Sequence, residues 1–190
     1  MIPFTQYIDD LHSFLEKVVI TDINGQSLDV YEGLSLIINN LHKNKTAHNK
    51  VMIIGNGGSA AIASHLQSDL CKTAQIRAMV FTEQPLLTAL SNDISYIAAY
   101  RELVNLWAEK EDVFFSISSS GSSQNIIDAV IIAREKGCSP IITLSGFLPD
   151  NPLRNMGDIN IYIPSREYGY VELAHSVLTH FISDQTSKIR

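Results

Sequence analysis

Two groups of side chains in this 190-residue chain have the types and spacing of reactive sites. In "HLQSD", His65 and Asp69 stand four residues apart, so a helix would carry both on one face. An imidazole and a carboxylate so placed can grip one divalent metal. The ordinary reading is a pair on a helix surface. In "ELAHSVLTH", Glu172, His175 and His180 form a second set, whose ordinary reading is histidines at a helix interface. Carboxylates and imidazoles together supply the base and acid that proton transfer needs, and a metal held among them could polarise a carbonyl.

Two loops offer a different chemistry. "SISSSGSS" packs six serines into positions 116–123, directly behind an apolar run. Ser118, Ser119, Ser120 and Ser123 would stand with the unpaired N–H groups of the next helix, an arrangement suited to a phosphate dianion. The alternative is one N-cap serine with solvated neighbours. "GNGGSA", Gly55–Ala60, is a second such loop. Gly55, Gly57 and Ala60 also fit the dinucleotide fingerprint, with Glu83 about where a ribose-binding acid would sit. A dinucleotide site uses one glycine-rich turn for its pyrophosphate and does not require a second, hydroxyl-rich one, so the paired loops favour a phosphate cradle without a nucleotide cofactor.

The elements that must position these groups follow from patterning. Helices are expected over about Phe4–Val18 and Leu28–Lys43, joined by the turn residues of "TDINGQS". From Lys50 onward, short apolar runs alternate with helical segments: "VMIIG", "AMVFT", "DVFFSIS", "PIITLSG" and "INIYIP". Helices are expected at Ser59–Thr73, Ile94–Glu109, Ser123–Lys136 and Val171–Ser187. That alternation predicts an α/β fold, a three-layer α/β/α sandwich with a five-stranded parallel sheet and two extra N-terminal helices. A single domain over 1–190 is expected, with 1–45 serving packing or oligomerisation and 46–190 forming the sheet core. Ligands of such sheets bind beyond the carboxyl ends of the strands, where both loops fall.

Composition narrows the partners. The chain is 45% hydrophobic and 18% charged, as a globular protein is, and its net charge of −6 carries no basic footprint for nucleic acid or anionic membrane. Cys71 and Cys138 are too few for a disulfide framework or a cysteine zinc site. With no apolar run of about 18 residues, a cytoplasmic protein is expected.

The motifs "GNGGSA", "LSND", "SISSSGSSQN", "AREKGC" and "IITLSG", in this order, resemble the sugar isomerase (SIS) domain family and, within it, the phosphoheptose isomerases. With the two N-terminal helices the resemblance covers nearly the whole chain. It implies a homotetramer with active sites between subunits, interconverting sedoheptulose 7-phosphate and an aldoheptose 7-phosphate through an enediol. Ser59, Ser118, Ser119, Ser120 and Ser123 fall on the family's phosphate-binding positions, with Gly57 and Gly58 in the same loop. Asn56 and Asp93 fall on its sugar-contacting positions.

The resemblance also implies one zinc per site, bound by His65, Asp69, Glu172 and His180, with Asp69 and His180 catalytic. Two positions depart from the family. Asp69 replaces a glutamate that is both ligand and base, setting the carboxylate back by roughly 1 Å, and misplacement on that scale can cost ~100-fold in rate. Glu172 replaces a glutamine, and its charge would tighten a cation while weakening its Lewis acidity. An aspartate is missing from the shortened "REYGYVE". On one straight helix Glu172 and His180 would be about 12 Å apart, so either the helix begins after Glu172 or different subunits contribute. His175 could replace either as ligand, or sit in the core. Two other functions stay open: isomerisation of another sugar phosphate, and phosphosugar binding or scaffolding without catalysis.

Overall fold

The apolar run Val51–Gly55 is buried throughout in the computed structural model, which describes residues 1–189. In chain order, helix α1 (Phe4–Glu16) leads into strands β1 (Val19–Asp22) and β2 (Ser27–Leu28) and helix α2 (Val30–Ala47). Strand β3 (Val51–Gly55), helix α3 (Gly58–Asp69) and strand β4 (Ala78–Val80) follow. Helices α4 (Gln84–Asp93) and α5 (Tyr96–Trp107) precede β5 (Val113–Ser118), α6 (Gln124–Glu135) and β6 (Ile141–Ser145). Strand β7 (Ile159–Tyr162) and the long α7 (Tyr168–Lys188) close the described chain.

The five expected strands are present, with β3, β4, β5, β6 and β7 parallel. The sheet is wider than expected, seven strands in the order β2-β1-β7-β6-β5-β3-β4. The two additions come from the segment read as a turn between helices. Asp22 accepts hydrogen bonds from Asn24 and Gln26, Gly25 takes φ 75°, and the hairpin so formed pairs β1 antiparallel with β7. β1 and β2 are too short for periodicity to reveal. What holds them is tertiary: Ile20 is fully buried, and β1 covers an otherwise bare sheet edge. Gly33 lets α2 close on this strand, since a methyl group there would sit 2.6 Å from Ile20.

Side chains alternate across the central strands into two cores. Val51, Ile53, Phe115 and Ile117 face α2, α3 and α7, where they meet Ile37, Leu66 and Leu178. Met52, Ile54 and Phe114 face α5 and α6, against Tyr100, Leu103 and Val130. With both faces covered, neither side of the strands is solvated, which explains their mainly apolar runs, and even the polar row Ser116, Thr143 and Asn160 is buried.

Several helix boundaries differ from expectation, among them the start of α7, at Tyr168 rather than Val171. α2 starts at Val30 because Asp29 caps it, accepting from Tyr31 and Glu32 N–H at 2.9 and 3.2 Å. The expected helix from Ile94 starts instead at Tyr96, capped by Ser95, and α4 precedes it. Glu83 is the N-cap residue of α4. No helix among the described residues is long and apolar enough to cross a membrane.

Candidate active site

From β3 the chain runs through α3 to β4 on one side, then returns through α4 and α5 to β5 on the other. Loops leaving β3 and β5 therefore diverge, opening a crevice at the carboxyl ends of the strands. A cavity of ≈240 Å³ occupies it. One wall is Asn56, Gly57, Gly58 and Ser59, and the facing wall is Ser118, Ser119, Ser120 and Ser123. Tyr168 and Glu172 of α7 complete it.

The glycines have specific reasons. A methyl group on Gly55 would lie 2.6 Å from the Ser59 backbone, so only glycine lets the strand turn this tightly into α3. Gly57 takes φ 53°. The two loops are tied across the crevice by a reciprocal pair of 2.9 Å hydrogen bonds between Asn56 and Asn125. Tyr96 donates to Asn56 Oδ1 at 2.7 Å, and buried Tyr100 donates to the Gly55 carbonyl at 2.7 Å. Neither Asn125 nor the tyrosines had been singled out from sequence, although "QN" closes the serine motif.

The serines are not equivalent. Ser118 donates to Ser123 at 3.3 Å, and Ser120 accepts from Ser122 N–H at 3.3 Å. Ser119 is buried and its Oγ has no partner among the described residues. A buried hydroxyl without a partner is costly, and this one belongs to a wall at the N-terminus of α6, so an anion in the crevice would satisfy it. Ser116 is enclosed within β5, and Ser122 is exposed.

His65, Asp69 and His180 come together elsewhere, at the last turn of α3. Asp69 Oδ1 lies 3.7 Å from His65 Nε2, and Oδ2 lies 3.4 Å from His180 Nδ1. The two imidazoles meet edge to face at 4.6 Å. Buried Ser183, not anticipated from sequence, donates to Asp69 Oδ2 at 3.3 Å. One donor atom from each of the three residues lies within 4.8 Å of the others. Ligands about 2 Å from a tetrahedral zinc stand about 3.3 Å apart, so small rotations would bring this trio into a site with an open position. The donor set fits the metal.

Glu172 does not join them. α7 begins at Tyr168 and continues past Glu172 to Lys188, so Glu172 and His180 are separated by about 12 Å of helical rise. α3 and α7 run alongside in the same direction: Glu172 packs on Gly58 at one end, and His180 and Ser183 meet Asp69 at the other. Within one chain Glu172 does not reach the trio, and because the helix does not begin after it, a contribution from different subunits is the alternative that the expected ligand set retains. Asp93 is likewise apart, exposed at the end of α4, where it accepts from Asn92 and lines neither cavity wall. His175 is a core residue rather than a ligand. Its Nε2 donates to the Ser145 carbonyl at 3.2 Å, and burial pushes its pKa down to about 4, so it is neutral at pH 7.

A larger cavity of ≈520 Å³ lies between α2 and the end of α7. It is mainly apolar, and its lining among the described residues includes no imidazole or carboxylate.

Comparison with known proteins identifies the family and the fold. The sequence profile of the SIS domain matches residues 6–146. The phosphoheptose isomerase of Pelobacter propionicus is 33% identical over 146 residues, covering 74% of this chain and 76% of that protein. That of Geobacter sulfurreducens is 30% identical over 145 residues, covering 73% and 76%. The solved phosphoheptose isomerase of Neisseria gonorrhoeae superposes with a TM-score of 0.75 at 27% identity, over 82% of this chain and 86% of that one. The Francisella tularensis structure reaches a TM-score of 0.83 over 96% and 95% of the two chains, and at 21% identity it speaks to the fold alone. This chain belongs to the SIS domain family and, within it, is of the phosphoheptose isomerase type.

Proposed function

We propose that this protein is an aldose–ketose isomerase acting on sedoheptulose 7-phosphate. The observation that carries the reading is the placement of two unlike sites on one helix pair. A serine-lined crevice marks the first turn of α3, and a carboxylate between two imidazoles marks its last. Serine hydroxyls and the N–H groups of α3 and α6 would hold the phosphate. Asp69 would take the proton from the hydroxyl-bearing carbon beside the carbonyl, while His180 gives one to the carbonyl oxygen. The resulting enediol regains a proton at the neighbouring carbon and loses one from its other oxygen, leaving the aldose. Zinc held by His65, Asp69 and His180 would polarise the carbonyl.

Length supports a long sugar. By helical rise the two sites stand about 12 Å apart along α7, from Glu172 to His180, and about 15 Å apart along α3, from Ser59 to Asp69. An extended seven-carbon phosphate spans about 10 Å from phosphorus to its far carbon by standard bond lengths, whereas a three-carbon one falls far short. Exposure supports a neighbouring subunit. The side chains of His65 and His180 are 61% and 47% exposed, yet an enediol needs shelter from water. Leu173, Val177 and Phe181, exposed along α7 beside His180, suit a homotetramer whose contacts roof the trio.

The test is incubation of the purified protein with sedoheptulose 7-phosphate, with and without zinc, following aldoheptose 7-phosphate. Absence of product under both conditions, beside an active control enzyme, overturns the proposal. A second reading, phosphosugar binding without turnover, is favoured by one observation: Glu172 stands in the crevice and leaves the trio one ligand short of the family set. Tight binding without product would select it.

A further inference from the structure

The serine wall of the crevice rests on a residue outside its lining. Between β5 and α6 the chain turns at Gly121, which is buried, takes φ 62° and donates its N–H to the Ser118 carbonyl at 3.0 Å. The Asn151 side chain lies against this turn, so close that a methyl group on Gly121 would overlap its amide. Asn151 comes from the connection between β6 and β7. Two residues on, the Leu153 N–H donates to the Gly121 carbonyl at 3.0 Å.

Asn151 is itself firmly held. It is buried, and its amide is used at both ends. Nδ2 donates to the carbonyls of Leu148 at 2.8 Å and Gly146 at 3.1 Å, and lies 3.2 Å from Ser145 Oγ. Oδ1 accepts from the Arg154 N–H at 3.1 Å, capping the short 3-10 helix Pro152–Asn155. Donors and an acceptor on so short a side chain call for an amide. Gly146, one of these partners, passes close to the serine wall: a methyl group there would lie 3.1 Å from the Ser119 carbonyl. The wall is thus approached from behind at Ser119 and at Gly121, and Asn151 joins the two places. These contacts are buried within one chain, so no neighbouring subunit is needed to complete them.

We propose that Asn151 is a positioning residue for phosphate, fixing the serine loop where Ser119 Oγ and the N–H groups of α6 converge on one anion. A loop without this brace would lose conformational entropy each time the anion bound. With the brace, that freedom is already gone on folding. Asn151 therefore acts on affinity and not on proton transfer at the trio.

This inference rests on the phosphosugar reading of the crevice, and the experiment separates the two. Inorganic phosphate and sedoheptulose 7-phosphate are titrated calorimetrically into the full chain and its variants, with steady-state kinetics in parallel. Asn151→Ala should weaken both ligands about tenfold and raise KM to match, with kcat at saturation within about twofold. Partial misfolding would instead lower kcat and the number of binding sites, leaving the remaining sites at full affinity. Gly121→Ala should weaken both ligands about 100-fold, because its methyl group lifts the loop off Asn151 and bonds to the anion are lost. In the double variant the methyl group has room. Its affinity should lie within about fivefold of Asn151→Ala alone, the remainder reflecting alanine at positive φ. Should Asn151→Ala fail to fold, Asn151→Ser takes its place in the same cycle. Losses that multiply in the double variant, or unchanged affinity in the Asn151 variant, overturn the positioning role and leave the crevice as the phosphate site. If the unaltered chain binds neither ligand, the phosphosugar reading fails and this inference with it.

Discussion

The first and last turns of α3 present functional groups in opposite ways. At the first turn, groups are held by backbone: glycine-permitted turns, helix N-termini and an asparagine pair tying two loops. At the last turn, three side chains meet on helix surfaces, braced from a buried position by the Ser183 hydroxyl. A phosphate is a fixed shape that a rigid, preorganised set of donors can recognise. Proton transfer needs groups that change protonation, and these tolerate more exposure until substrate, metal or a neighbouring subunit covers them. The crevice should therefore govern binding and the trio should govern rate.

Asp69→Asn is the sharpest way to break that division. Turnover should fall about 10³-fold, as loss of a general base does, while sugar-phosphate affinity measured by calorimetry changes little. A comparable loss of affinity would show that the two regions are not separable. Ser119→Ala should do the reverse, weakening the sugar phosphate about 10- to 100-fold because a bond to a charged group is lost, with kcat at saturation largely kept. Removing metal with a chelator should lower kcat, with zinc restoring it, and leave phosphate affinity in place.

His175 lies between the two ends on α7, pinning that helix to β6. Burial keeps its imidazole neutral down to about pH 4, whereas an unfolded histidine titrates near 6.5. Between those values the unfolded chain binds a proton that the folded chain refuses, so stability falls as pH drops from 6.5 to 4, by up to about 3 kcal/mol. Chemical denaturation across that range should show a shallower slope in His175→Gln. Ser183→Ala is the smallest expected effect, a loss of about threefold in kcat from a looser Asp69. A larger loss would mean that the trio is as preorganised as the crevice.

Much of this arrangement could be read before the structure. Ser118, Ser119 and Ser123 betray themselves because helix N-termini behind apolar strands have few other uses for clustered hydroxyls. His65 and Asp69 share a helix face by spacing alone. Asn125 and Tyr96 were harder, since each acts through Asn56 from a distant part of the chain. Ser183 was invisible for the same reason, being 114 residues from the carboxylate it braces.

The sequence by itself determined the alternating architecture, the five parallel strands and the two phosphate-suited loops, because period and turn chemistry are local properties. Only the tertiary structure decided where Glu172 points and what covers the sheet edge. α7 is continuous, so its rise separates Glu172 from His180, and the parallel packing of α3 delivers the one to Gly58 and the other to Asp69. β1 becomes a strand because β7 offers it an edge. Both outcomes depend on which elements become neighbours, and short-range pattern carries no record of that.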